Sequence, residues 1–129
     1  TKQFDRFTGA LRIAPAQLDA AWKECDPAVR DALELAASRL RAYHEKQKPQ
    51  DVLYTDEHGT KLGWRWKPLD AVGLYVPGGR AAYPSSVLRN AIPAVVAGAR
   101  RLAMVTPTPD GVMNPAILAA ARIAPTTDG

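Results

Sequence analysis

A tyrosine followed closely by a proline and two glycines, Tyr75-Val76-Pro77-Gly78-Gly79, stands where an apolar run gives way to a helical pattern. Two adjacent residues without a Cβ permit positive φ or the close approach of a bound molecule to the backbone, with Tyr75 and the amides near Ser85 and Ser86 around them. The dinucleotide fingerprint is not matched, because Gly78 and Gly79 are adjacent and residue 82 is alanine. The phosphate loop fails too, since Gly73 and Gly78 are followed by Gly79-Arg80 and not by lysine and serine. Spacing alone leaves a tight turn and a binding loop equally open.

The other residues capable of chemistry read as structural. His58 follows Asp56 and Glu57, but a charged cluster in a hairpin turn is ordinarily a solvated face and not a metal site. His44 has no ligand partner at a suitable spacing on its helix. Ser85 and Ser86 lack the Gly-x-Ser-x-Gly elbow and a histidine nearby in sequence, so helix capping is expected of them and nucleophilic catalysis is not. The single cysteine, Cys25, can form neither an internal disulfide nor a cysteine-based zinc site, and beside Trp22 it reads as a small buried group or an idle surface thiol. No catalytic residue and no metal ligand is assigned.

These residues need elements to carry them. Pro15 suits a first helical position, with Leu18, Ala21 and Trp22 at helical spacing as far as the Cys25-Asp26-Pro27 break. Asp26 then caps a longer helix whose apolar stripe is Val29, Leu33, Ala36, Leu40 and Tyr43. Alternation in Val52-Leu53-Tyr54 and in Leu62, Trp64 and Trp66, around Asp56-Glu57-His58-Gly59, predicts a β-hairpin with both tryptophans on one face. Residues 71–76 and 102–105 are short apolar runs of the kind buried on both sheet faces, and a helical pattern through Val87, Leu88, Ala91, Val95 and Val96 separates them. Asn114-Pro115 opens a last helix. The order strand, helix, strand, helix predicts two parallel neighbours, too few for a sheet standing alone.

Composition bounds the partners. The chain has 129 residues, 47% of them hydrophobic, which suits one domain with a modest core. Its net charge of +4 comes from seventeen basic residues interleaved with thirteen acidic ones, a solvated surface and not a nucleic-acid patch. No apolar run approaches the length of a membrane span, so a cytoplasmic protein is expected. The absence of an initiator methionine and the weakly structured residues 125–129 make both ends read as cut.

Taken together, Gly73-Leu74-Tyr75-Val76-Pro77-Gly78-Gly79, Tyr83-Pro84-Ser85-Ser86-Val87-Leu88, Asn90-Ala91-Ile92-Pro93-Ala94, Ala97-Gly98 and Val105-Thr106-Pro107 closely resemble histidinol dehydrogenase. Upstream, Phe4-Asp5-Arg6-Phe7 and Tyr43-His44-Glu45-Lys46-Gln47 are similar to the same family's amino-terminal part, so the resemblance covers nearly the whole chain. It implies an NAD-dependent, zinc-requiring enzyme, usually a homodimer, that oxidises histidinol to histidine by two hydride transfers. It also implies an aldehyde-dehydrogenase-like α/β architecture, here an incomplete Rossmann-like parallel sheet with flanking helices, preceded by a helical segment and a β-hairpin.

The resemblance places the family's cofactor-contacting tyrosine on Tyr75, with Pro77, Gly78 and Gly79 as loop shape. The family's zinc ligands and acid/base pair lie beyond the stretch matched. The expected organisation is residues 1–68 as helices plus hairpin, 69–124 as a partial nucleotide-binding unit and 125–129 as a disordered or truncated tail. Two other readings stand beside it: a related alcohol dehydrogenase sharing the loop, and a non-catalytic α/β binding module. A lone piece of this kind is expected to self-associate, because two apolar strands ask for more cover than the chain supplies.

Overall fold

The computed structural model describes residues 12–77, 83–108 and 112–124. Four helices and four strands follow in order: α1 (Pro15–Glu24), α2 (Pro27–Glu45), β1 (Val52–Thr55), β2 (Lys61–Trp64), β3 (Ala71–Tyr75), α3 (Pro84–Val96), β4 (Arg101–Val105) and α4 (Pro115–Ile123). Phe4 to Phe7, Gly78, Gly79 and the 125–129 tail lie outside the described residues.

Local chemistry explains where the helices begin and end. Pro15, Pro27, Pro84 and Pro115 each occupy a first helical position, where the missing N–H has no partner to lose. Asp26 accepts from the Ala28 N–H at 2.7 Å and Asn114 from the Ala116 N–H at 2.9 Å, closing the starts of α2 and α4. Helix α3 stops in a Schellman arrangement, with the Ala99 N–H on the Ala94 carbonyl, the Gly98 N–H on that of Val95, and Gly98 at φ +94°. Only glycine takes that φ without strain. Ser85 and Ser86 are not the cap expected of them. The N-cap of α3 is Tyr83, which makes no side-chain cap bond, and both serines lie inside the first turn.

Strands β3 and β4 pair in parallel, with Ala71 opposite Arg101, Gly73 opposite Ala103 and Tyr75 opposite Val105. Helix α3 joins them and packs between α2 and α4, while α1 lies on α4. The core is the set of side chains that meet there: Leu33 and Ala37 from α2, Val87, Leu88, Ile92 and Val96 from α3, Ile117, Ala119, Ala120 and Ala121 from α4, and Val76 after β3. A second cluster joins Leu74 and Leu102 of the sheet to Ala91 and Ala124. On α2 the expected stripe is rotated. Leu33 and Ala37 are buried, Ala36 and Leu40 half-buried, but Val29 is partly and Tyr43 largely exposed, because the groove between α3 and α4 takes only the middle of the helix.

The sheet departs from expectation in one respect. The apolar runs predicted strands covered on both faces, yet Leu74 and Leu102 are buried while Ala71, Gly73, Tyr75, Arg101, Ala103 and Val105 are all exposed. Among the described residues, helices pack on one face of the two strands only.

Strands β1 and β2 form the expected antiparallel hairpin, with Leu53 opposite Gly63 and Tyr54 opposite Leu62. Its three-residue loop closes when the Asp56 N–H donates to Thr60 and the Gly59 N–H to Asp56, with Gly59 at φ +82°. The Asp56 carboxylate accepts from the N–H groups of His58 and Thr60 at 2.9 and 2.8 Å. Trp66 lies past the end of β2, where its N–H donates to Asp51 at 2.7 Å. Leu53, Tyr54, Leu62, Trp64 and Trp66 are all exposed, so the hairpin stands away from the helical core.

Candidate functional site

In a parallel sheet the carboxyl ends of the strands and the amino ends of the following helices open onto one edge, where ligands bind. Here that edge is made by Tyr75, Val76 and Pro77 after β3 and by Val105, Thr106, Pro107 and Thr108 after β4. The Val76 N–H donates to the Val105 carbonyl at 3.0 Å, so the two strands stay joined to their very ends. Val76 is fully buried and anchors the segment, while Tyr75 beside it is 62% exposed. A buried neighbour on either side, Leu74 and Val76, fixes the backbone and presents the phenol outward. Pro77 is exposed at the start of the loop toward α3. Of the four residues expected to shape a cofactor site, Tyr75 and Pro77 therefore lie together at the sheet edge.

Helix α3 begins beside this loop without a side-chain cap, and its Ser86 N–H donates to the Tyr83 carbonyl at 2.9 Å. The start of α4 differs, because Asn114 already occupies its Ala116 N–H.

The remaining candidates stay apart from this edge. His58 sits in the hairpin turn, its side chain 80% exposed and 3.5 Å from Glu57, as a solvated charged turn requires. The His44 ring meets the Gln47 side chain at 2.7 Å and stacks edge-on against Tyr43, a helix-end arrangement. Cys25 is half-buried against the core near Trp22, whose ring also faces the Arg30 guanidinium at 5.8 Å. Among the described residues no group of three or more His, Cys, Asp or Glu side chains stands close enough to hold a metal ion. A groove of about 350 Å³ lies at the hairpin foot, lined by Asp51, Val52, Leu53, Gly63, Trp64 and Arg65, and it contains no nucleophile or base pair. No described helix is long and apolar enough to cross a membrane.

A parallel strand, helix, strand, helix unit makes this an α/β chain, with an exposed aromatic at the carboxyl edge of its parallel pair. Residues 1–128 match the family model for histidinol dehydrogenase, and the chain belongs to that family. It is 53% identical to the histidinol dehydrogenase of Bradyrhizobium diazoefficiens over 99% of its own length, and 56% identical to that of Ruegeria pomeroyi over 95%. The crystal structure of histidinol dehydrogenase from Elizabethkingia anophelis superposes with a TM-score of 0.90 at 29% identity, over 98% of this chain. In each case the chain spans only about 30% of the relative's length.

Proposed function

We propose that the chain is the amino-terminal part of an NAD-dependent, zinc-requiring histidinol dehydrogenase that oxidises histidinol to histidine, and that it contributes one wall of the cofactor crevice. The observation that carries this reading is Tyr75, exposed at the carboxyl edge of the parallel pair in a chain whose family match runs through residues 1–128. When bound, NAD supplies the hydride acceptor. Tyr75 would contact it with its ring, and Pro77, Gly78 and Gly79 would let the loop approach closely. Among the described residues no three ligating side chains stand together, and the zinc ligands are proposed to lie in the rest of the full-length polypeptide.

The parent is further proposed to be a cytoplasmic homodimer, and the isolated chain to self-associate through its exposed apolar surfaces. Residues 1–68 and 69–124 are proposed as two parts of one compact unit.

The test is kinetic. In the full-length enzyme, Tyr75→Ala raises the NAD concentration needed for half-maximal rate by about 10-fold or more, the size of one lost ring contact of about 1.4 kcal/mol. Ser85→Ala leaves it within about 2-fold, as a surface change does. Equal and negligible effects of the two changes count against the assignment.

A further inference from the structure

Tyr75 has unequal neighbours on its side of the β3–β4 pair. The strand register sets Val105 directly beside it on β4, and the two side chains are each 62% exposed. Paired residues on adjacent strands stand about 4.8 Å apart and project from the same face. Its own strand gives the ring no support, because the residue two positions back is Gly73, and a Cβ built there meets no atom within 4 Å, those of the Tyr75 ring included. Ala103, opposite Gly73, offers a single methyl group. Of the strand residues on this face, Ala71, Gly73, Tyr75, Arg101, Ala103 and Val105, the valine is the one branched at Cβ, and that branching leaves it stiff about χ1. The pair is also fixed in register: the Val76 N–H donates to the Val105 carbonyl at 3.0 Å, and Leu74 and Val76 are buried on either side of Tyr75.

We propose that Val105 is a positioning residue for the cofactor site, its branched side chain bracing the Tyr75 ring at the carboxyl edge and limiting how far that ring leans across β4. The inference rests on the reading of Tyr75 as a cofactor contact, and it adds the group that holds the ring in place. Apolar contact between an aromatic ring and a β-branched neighbour is a stabilising cross-strand pair. Here it narrows the ring's rotamers before a ligand arrives, so less side-chain freedom is lost on binding. With a smaller residue at 105 the ring gains room on the one side where the sheet had bounded it, and the same contact with the nucleotide has to order it first. Val105 acts through the ring and needs no contact of its own with the ligand.

The experiment uses the full-length enzyme carrying Val105→Ala, Val105→Thr or Tyr75→Ala, and the two alanine changes combined. Val105→Ala should raise the NAD concentration needed for half-maximal rate about 3- to 5-fold at an unchanged kcat, the scale of one cross-strand contact between a ring and a β-branched side chain. Val105→Thr keeps the branched outline and should stay within about 1.5-fold of the unmodified enzyme. With Tyr75→Ala already present, Val105→Ala should add nothing, because the ring through which it acts is gone. An equal effect of Val105→Ala in both backgrounds, or none while Tyr75→Ala alone raises the NAD requirement, overturns the positioning role and leaves the reading of Tyr75 standing. A lower kcat and thermal midpoint with Val105→Ala, at an unchanged NAD requirement, assigns the valine to the fold alone and rejects the proposal in the same way. No effect of Tyr75→Ala by itself removes the reading of Tyr75 and this inference with it.

Discussion

Arg122 on α4 donates through Nε to the carboxylate of Asp19 on α1, joining residues 103 apart in sequence. Both side chains are about half exposed, so the pair orients α1 more than it stabilises the core. Arg122→Ala should cost no more than about 1 kcal/mol in denaturant unfolding, and less in high salt. Amide exchange in α1 should quicken while that in α3 does not.

Leu88 is completely buried where α3 meets its neighbours, whereas Leu53 on β1 is 79% exposed. Leu88→Ala should therefore destabilise the protein by about 2–5 kcal/mol through lost contacts and a cavity. Leu53→Ala should stay within about 0.5 kcal/mol. Urea unfolding midpoints compare the two directly.

A Cβ on Gly63 would run into the backbone carbonyl of Val52 and sit 3.1 Å from the Leu53 Cα, so the hairpin tolerates no side chain there. Gly63→Ala should force the strands apart at a local cost of about 1–3 kcal/mol. Faster exchange at residues 52–55 and 61–64, with the core amides unchanged, is the expected pattern because the hairpin stands away from the helices.

The 129-residue chain alone should reduce no NAD in the presence of histidinol, even with zinc supplied. A zinc dehydrogenase needs several ligands and a base, and the described residues gather no three side chains able to hold a metal ion. Turnover above a protein-free control, in material free of full-length enzyme, would refute this.

The sequence was most informative where a local rule operates. The Asp26-Pro27 cap and the Gly59 turn each act within a few residues, and both stand as read. Burial was harder to read, since it depends on what arrives from elsewhere. Apolar residues alternate with equally apolar ones in residues 71–76, so nothing local says that Leu74 faces the core and Tyr75 does not. The strictness of Gly63 depends on Val52 across the hairpin, and the Asp19 to Arg122 pair on helices at opposite ends of the chain. Tyr75 was singled out by family resemblance, and only the strand register places it on the open face.

The one-sided sheet also bears on timing. In a full-length parent of the kind proposed, a ribosome releases the amino-terminal body first, and at about 5–20 residues per second the remainder takes on the order of tens of seconds to follow. For that interval Gly73, Ala103 and the strand edges meet water, or whatever the cell supplies to shield them. Yield in the cell should then depend on the speed of translation and on chaperone supply more than on the stability of the finished fold.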